Sequence, residues 1–289
     1  MKLTQYQFIM NKTINIKGEL LDLSQPIVMG IVNVTPDSFY SGSRKQTEEE
    51  IIKRVTQILA EGGTIIDIGG QTTNPKSTML SPSEEMERLH FALKIINREF
   101  PDAILSIDTF YSDVAKCCVE EYGAAIINDI SGGEIDKEMF NTISCLNVPY
   151  ILMHMRGTPQ TMGQFTDYNN LIQDIFYYFS KKINELNQLG VNDIIVDPGF
   201  GFSKTIEQNY ELMATLRGFE ILECPLLVGI SRKRMIYNLL GINSEESLNG
   251  TTVLNTFALQ NGADILRVHD VKEAVEAIKI TKKLKEYRF

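Results

Sequence analysis

The feature that most constrains this 289-residue chain is a repeated beat of short apolar run, polar or glycine-rich break and amphipathic segment. The apolar runs are Ile27–Val32, Thr64–Ile68, Ala103–Ile107, Ala125–Ile127, Tyr150–Met153, Asp193–Val196, Leu226–Gly229 and Asp264–Val268. Helical periodicity marks the segments that follow them: Glu48–Glu61, Pro82–Phe100, Ser112–Tyr122, Lys137–Cys145, Tyr168–Leu189, Glu207–Leu216, a split pair Lys233–Leu240 and Ser247–Gln260, and Val271–Tyr287. Strand-length runs alternating with helix-length segments are βα units, and their strands lie parallel because each helix carries the chain back across the sheet. Eight such units can close into a barrel or stay open as a doubly wound sheet. The count and the unbroken alternation predict an α/β fold closed into a single (β/α)8 TIM barrel. No GxGxxG follows the first run, which argues against a dinucleotide-binding sheet. Phe8 to Leu23 reads as a short β-hairpin, so residues 1–26 are expected to be an N-terminal extension of one domain covering 1–289.

An apolar share of 43% is ample for one large core. The net charge of −9, with Lys and Arg dispersed, gives no footprint for nucleic acid. An anionic substrate would have to be held by a local set of donors, which makes individual basic residues informative. No apolar run reaches membrane-spanning length and the N-terminus lacks the pattern of a secretion signal, so no membrane contact and a cytoplasmic location are expected. Cys117, Cys118, Cys145 and Cys224 show no CxxC spacing and read as reduced structural thiols.

In a barrel of this type the loops after the strands build the active site. The closing residues here are Asn33 to Phe39, Asp67-Ile68-Gly69-Gly70, Asp108-Thr109-Phe110, Asn128 to Gly133, His154-Met155-Arg156-Gly157, Asp197 to Lys204, Ser231-Arg232-Lys233 and Arg267-Val268-His269-Asp270. Any one Asp, Asn or Ser among them could simply build a turn or cap a helix. Asp108, Asn128 and Asp197 together at one cavity would need partners, and a flat heterocycle rich in N–H donors would supply them. Arg267 and His269, two apart at a strand end, can converge on one anion, a pattern suited to phosphate. Lys233 is the candidate charge over the reacting centre, with a solvated helix-start lysine as the alternative. Of the other histidines, His90 reads as a surface residue and His154 as a structural one.

The stretches MGIVNVTPDSF, DIGG, SIDTF, NDISGG, MHMRG, DPGFGFSK, GISRK and RVHDV, in this order, resemble the strand-end motifs of the dihydropteroate synthases, members of the pterin-binding barrel family, from about Ile27 to the C-terminus. The resemblance implies condensation of 6-hydroxymethyl-7,8-dihydropterin diphosphate with p-aminobenzoate to give 7,8-dihydropteroate and diphosphate, a step of folate biosynthesis. It implies pterin contacts from Asp108, Asn128, Met153, Asp197 and Lys233, and diphosphate contacts from Asn33, Thr73, Arg267 and His269. It further implies p-aminobenzoate contacts from Phe39, Phe202 and Ser231, catalytic roles for Lys233, Asn33, Arg267 and His269, Mg2+ as cofactor with Asn33 as its ligand, and a homodimer. The sequence departs from the family at Gln71, Asn74 and Lys76, where the second loop usually reads DIGGESTRPG, and at Ser41, where many members have Asp. An active synthase with a lineage-specific lid is the preferred reading. A pterin-binding paralogue with lost or altered condensation, or a methyltetrahydrofolate-dependent methyltransferase, is the alternative.

Overall fold

The computed structural model describes residues 12–34, 44–71 and 78–287, with the backbone alone for 44–46. Its centre is an eight-stranded parallel sheet: β3 (Ile27–Asn33), β4 (Ile65–Gly69), β5 (Ile104–Asp108), β6 (Ile126–Asp129), β7 (Tyr150–Met153), β8 (Ile194–Asp197), β9 (Leu227–Val228) and β10 (Ile265–Val268). Neighbouring strands follow sequence order, β10 pairs with β3 and with β9, and a parallel bridge from Val196 to Leu226 joins β8 to β9 and closes the barrel. The predicted barrel is therefore the observed one.

Strand periodicity sorts the side chains. On β7, Tyr150 and Leu152 face outward into the core under the helices, while Ile151 and Met153 face inward. On β10, Leu266 and Val268 face out and Ile265 joins the interior, two positions before Arg267. The helical layer comprises α1 (Arg44–Ala60), α2 (Pro82–Glu99), α3 (Ser112–Tyr122), α4 (Met139–Leu146), α5 (Leu171–Gln188), α6 (Ile206–Ala214), α7 (Arg234–Leu240), α8 (Leu248–Gln260) and α9 (Val271–Lys285). These boundaries fall within a few residues of the sequence expectation. Two 3-10 segments, Met162–Gln164 and Leu216–Leu222, carried no periodic signal.

The expected hairpin is β1 (Thr13–Ile16) and β2 (Glu19–Asp22), joined at Lys17 and Gly18, both with positive φ. The part of that expectation before residue 12 lies outside the described residues. Ile14, Ile16 and Leu23 pack on the barrel's lower interior, while Lys12 pairs with Asp264 at 2.7 Å and the Asn15 N–H donates to Asp193 at 3.1 Å. The hairpin is a plug for the end opposite the strand-end loops.

Candidate active site

At the C-terminal ends of the strands lies a cavity of about 820 Å3. Its lining includes Asn33, Asp108, Asn128, Met153, Asp197, Phe202, Ser231, Lys233, Arg267 and His269, all of them candidates from the sequence. Phe39 and Thr73 lie outside the described residues, as do Ser41, Asn74 and Lys76. The barrel thus gathers residues from seven strand ends, and Gln71 and Arg88 complete the wall above β4.

The floor is built around a carboxylate that sequence reasoning passed over. Asp67 is fully buried, and its oxygens accept from Arg267 Nε at 2.7 Å, from Ser106 Oγ at 2.7 Å and from Asn128 Nδ2 at 3.2 Å. The Arg267 Nη2 also donates to Asp108 at 2.6 Å, so one guanidinium bridges two carboxylates. Burial pushes the Asp108 carboxyl up while Arg267 opposes it, and the carboxylates push the guanidinium further up against its own burial. Asp197 is raised by burial and restrained chiefly by Lys233. Its carboxylate accepts from the Gly199 N–H at 2.8 Å. Asp129 shows the plainer use of a strand-end acid: it accepts from the Ser131 and Gly133 N–H groups and the Tyr150 hydroxyl, building its own turn.

The cationic side differs from the sequence expectation in its electrostatics. Arg267 reaches the cavity already bound to two carboxylates, and desolvation with Arg267 and Arg54 nearby lowers His269 to about 4. The imidazole is therefore neutral near pH 7, a hydrogen-bonding group rather than a second cation. Arg54 on α1 donates to the Ile31 carbonyl at 3.2 Å and to the His269 carbonyl at 2.7 Å, tying the ends of β3 and β10 together. In the Ser231-Arg232-Lys233 run, Arg232 turns away to a bidentate pair with Asp270. Lys233 is half-buried rather than solvated: its Nζ donates to the Phe200 carbonyl at 2.5 Å and sits 4.8 Å from the Phe202 ring centroid. Burial lowers it to about 8, with Asp197 opposing the shift. Ser231 Oγ accepts from the His269 N–H at 3.2 Å.

At Gln71, the side chain donates to the Leu80 carbonyl at 3.0 Å and to Glu85 at 3.1 Å, and accepts from the Leu80 N–H at 3.1 Å. Glu85 is fully buried on α2, whose start is fixed by a Ser81/Glu84 capping box. Burial raises Glu85 to about 7. An acid at 71 would set a second carboxylate against it, whereas the amide donates a hydrogen bond. The other two histidines behave as read: His90 is exposed and meets Tyr122, and His154 is buried beneath the β7 end.

Among the described residues no group of three His, Cys, Asp or Glu side chains could hold a metal ion, and no helix is long and apolar enough to cross a membrane. All four cysteines are free.

Residues 29–269 match the family model described as pterin binding enzyme. The dihydropteroate synthase of Escherichia coli strain K12 is 38% identical over 91% of this chain and 93% of its own length. That of a Synechocystis strain is 40% identical over 88% of each. Among solved structures, the Yersinia pestis dihydropteroate synthase in complex with a sulfonamide drug superposes with a TM-score of 0.87 at 36% identity, covering 96% of this chain and 100% of that one. The Xanthomonas albilineans dihydropteroate synthase with 4-aminobenzoic acid does so with a TM-score of 0.86 at 32% identity, over 96% of this chain and 100% of that one. With this breadth of likeness in sequence and structure, the chain belongs to the pterin-binding enzymes and, within them, to the dihydropteroate synthases.

Proposed function

We propose that the 820 Å3 cavity is where this transferase joins the pterin diphosphate to p-aminobenzoate, with the following division of labour. The pterin ring lies on the floor, its N–H and amino groups donating to Asp108 and Asp197 and its ring acceptors meeting the Asn128 amide, with Met153 against its face. This supplies the partners that buried polar groups require. The diphosphate lies toward Asn33 and His269, in the field of Arg267, with Thr73 on the second loop. The p-aminobenzoate lies between Phe202, Lys233 and Ser231, with Phe39 from the first loop.

The reaction breaks the bond from the pterin methylene to the diphosphate oxygen and forms a bond from that methylene to the aniline nitrogen, which gives up one proton. The arylamine is already neutral near pH 7, so no strong general base is needed. The residues act by positioning and by electrostatic stabilisation of charge that moves onto diphosphate. Lys233, lowered to about 8, is still protonated near neutrality and can steady the departing anion or the amine's carboxylate.

The donor set suits Mg2+ in a limited sense. Asn33 offers one neutral hard oxygen at the rim without a carboxylate cage, which fits an ion that keeps its waters and is held mainly by substrate phosphates. Bound there, it would offset diphosphate charge. A homodimer is supported by the apolar side chains that α8 and α9 leave exposed, Val253, Phe257, Ile280 and Leu284. A reducing, cytoplasmic setting agrees with four free cysteines.

The observation that carries the reading is the acceptor-rich floor facing Lys233 and His269 within one cavity of a dihydropteroate synthase relative. It is tested by steady-state turnover of the pterin diphosphate with p-aminobenzoate. Stoichiometric diphosphate and dihydropteroate are expected. Tight pterin binding without diphosphate release would instead favour the paralogue that has lost condensation.

A further inference from the structure

Behind the cavity wall, in a cluster the reaction itself does not touch, a lysine lies buried without an ion-pair partner among the described residues. Lys204 is 8% exposed and His154 is 1% exposed. An ammonium has three donors and no acceptor, and Lys204 finds three neutral acceptors: the Gly199 carbonyl at 3.0 Å, the Phe202 carbonyl at 3.1 Å and His154 Nδ1 at 3.0 Å. His154 is held well below its usual range by burial and by Lys204, so it is neutral and its Nδ1 is the acceptor.

What surrounds this cluster is the loop that the cavity depends on. Between Asp197 and Lys204 the chain passes through positive φ at Gly199, Gly201 and Ser203. A Cβ at Gly199 would lie 2.1 Å from the His154 carbonyl oxygen, so the β7 and β8 ends meet backbone to backbone. Ser203, a non-glycine residue in left-handed space, needs external support. Its hydroxyl accepts from the Arg156 N–H at 3.0 Å and its carbonyl from the Tyr168 hydroxyl at 2.9 Å. Those bonds hold the loop from outside and Lys204 holds it from within. The groups it thereby fixes are the Phe200 carbonyl, which receives Lys233, and the Phe202 ring beneath the same ammonium.

We propose that Lys204 is a positioning residue of the condensation: its protonated amine saturates Gly199, Phe202 and His154 at once and so sets the Lys233–Phe202 wall at which the arylamine docks. This rests on the synthase reading above. A deprotonated amine has two donors and a lone pair, so the bond to His154 is kept only if the imidazole moves its own proton to Nδ1. In either case the charge-assisted hold on the Gly199 and Phe202 carbonyls weakens and the wall loosens. Burial brings Lys204 down to about 7, with Asp197 opposing the shift and Lys233 and Arg156 adding to it. The clamp therefore opens on the alkaline side of neutrality. The stability of the fold moves the other way: a lysine lowered in the folded state costs stability below its folded value and regains it as pH rises toward the unfolded value of 10.5.

The test uses the full-length enzyme with both substrates. If the wild type releases no diphosphate, the synthase reading fails and not this one. With turnover established, Lys204→Met should raise the KM for p-aminobenzoate about ten-fold, while pterin affinity, read by titration calorimetry, stays within about two-fold. In the wild type that KM should begin to climb near pH 7, and in the variant this early climb should be absent, leaving only the later rise set by Lys233 near pH 8. If Lys204→Met does not fold, wild-type enzyme labelled with 13C at lysine Cε gives the same answer, with the charge-retaining Lys204→Arg variant assigning the Lys204 resonance and Lys233→Arg that of Lys233. A Lys204 signal titrating together with the rise in KM is expected. A p-aminobenzoate KM whose pH profile is the same in the wild type and in Lys204→Met, or a Lys204 signal that stays charged from about pH 6 to about pH 9, overturns the proposal.

Discussion

The two ends of this barrel are made from the same strands and the same inward faces, yet they are chemically opposite. At the lower end Met29, Ile65, Ile126, Ile151, Ile195, Leu227 and Ile265 fill the interior beneath the β-hairpin plug. Two residues further along five of those strands the inward positions become Asp67, Asn128, Met153, Asp197 and Arg267. Each buried Ile or Leu at the bottom contributes roughly 1.5 to 3 kcal/mol relative to exposure. The mouth carries desolvated charge instead: Glu85 and Lys204 are each moved to about 7 and Lys233 to about 8. The bottom and the helical layer hold the fold, and the mouth draws on that stability to keep a charged, pre-arranged cavity.

The largest test of this division is Arg267→Gln. Removing the guanidinium leaves Asp67 and Asp108 facing each other without a countercharge. Stability should fall by roughly 3 kcal/mol, because the loss is that of one partner from a buried pair. Turnover should fall with it, since Asn128 is held by the same Asp67. Urea unfolding beside steady-state kinetics checks both, and a variant losing only activity would mean the pair contributes nothing to the fold. Next in size is Lys233→Met. Turnover should drop about 100-fold, as for removal of one group that stabilises developing charge. The melting temperature should hold or rise, because a lysine lowered by burial is relieved. A loss of stability in this variant would break the comparison.

The effect expected at Glu85 depends on pH. Its carboxyl is raised from 4.5 to about 7, so the folded state binds the proton more tightly than the unfolded one. That contribution is complete below the unfolded value and is lost as pH rises through about 7. Glu85→Gln should match the wild type near the acid end and exceed it by roughly 3 kcal/mol at mildly alkaline pH. Denaturation midpoints at the two pH values read this directly, and equal differences at both would show that the charge of Glu85 is not the cause.

How much of this was legible in the sequence follows from the range of each interaction. The βα beat is local, so the eight strands, their order and closure could be read, and ten strand-end residues that line the cavity lay in contiguous motifs. What could not be read was which of them engage each other. Asp67 looked like a turn residue in DIGG, yet it bonds Arg267 two hundred positions away. Glu85 and Arg88 sit in a charged helical stretch that reads as solvated, but Glu85 is fully buried and Arg88 donates to the Gly70 carbonyl at 3.0 Å. Arg267 and His269 were rightly placed at one strand end, but the pairing of Arg267 with two carboxylates and the neutral state of His269, lowered by burial, Arg267 and Arg54, depend on other elements. Lys204 had no signal of its own, since a lysine after Phe202-Ser203 reads as a surface residue until the loop is seen wrapped around it.

The smallest expected effect is the most direct probe of the apolar end. Ile151 is fully buried on β7, one inward position below Met153, which faces the cavity. Ile151→Val removes one methylene from close-packed surroundings and should cost about 1 kcal/mol. If the two ends are energetically separate, the KM for either substrate and the turnover number should be unchanged, because no polar group of the mouth is hydrogen-bonded through that side chain. A shift of either KM with the same loss of stability would mean that β7 transmits packing changes upward. Met153 would then be positioned by the layer beneath it, and the polar mouth would owe its geometry to the apolar plug as well as to its own ion pairs.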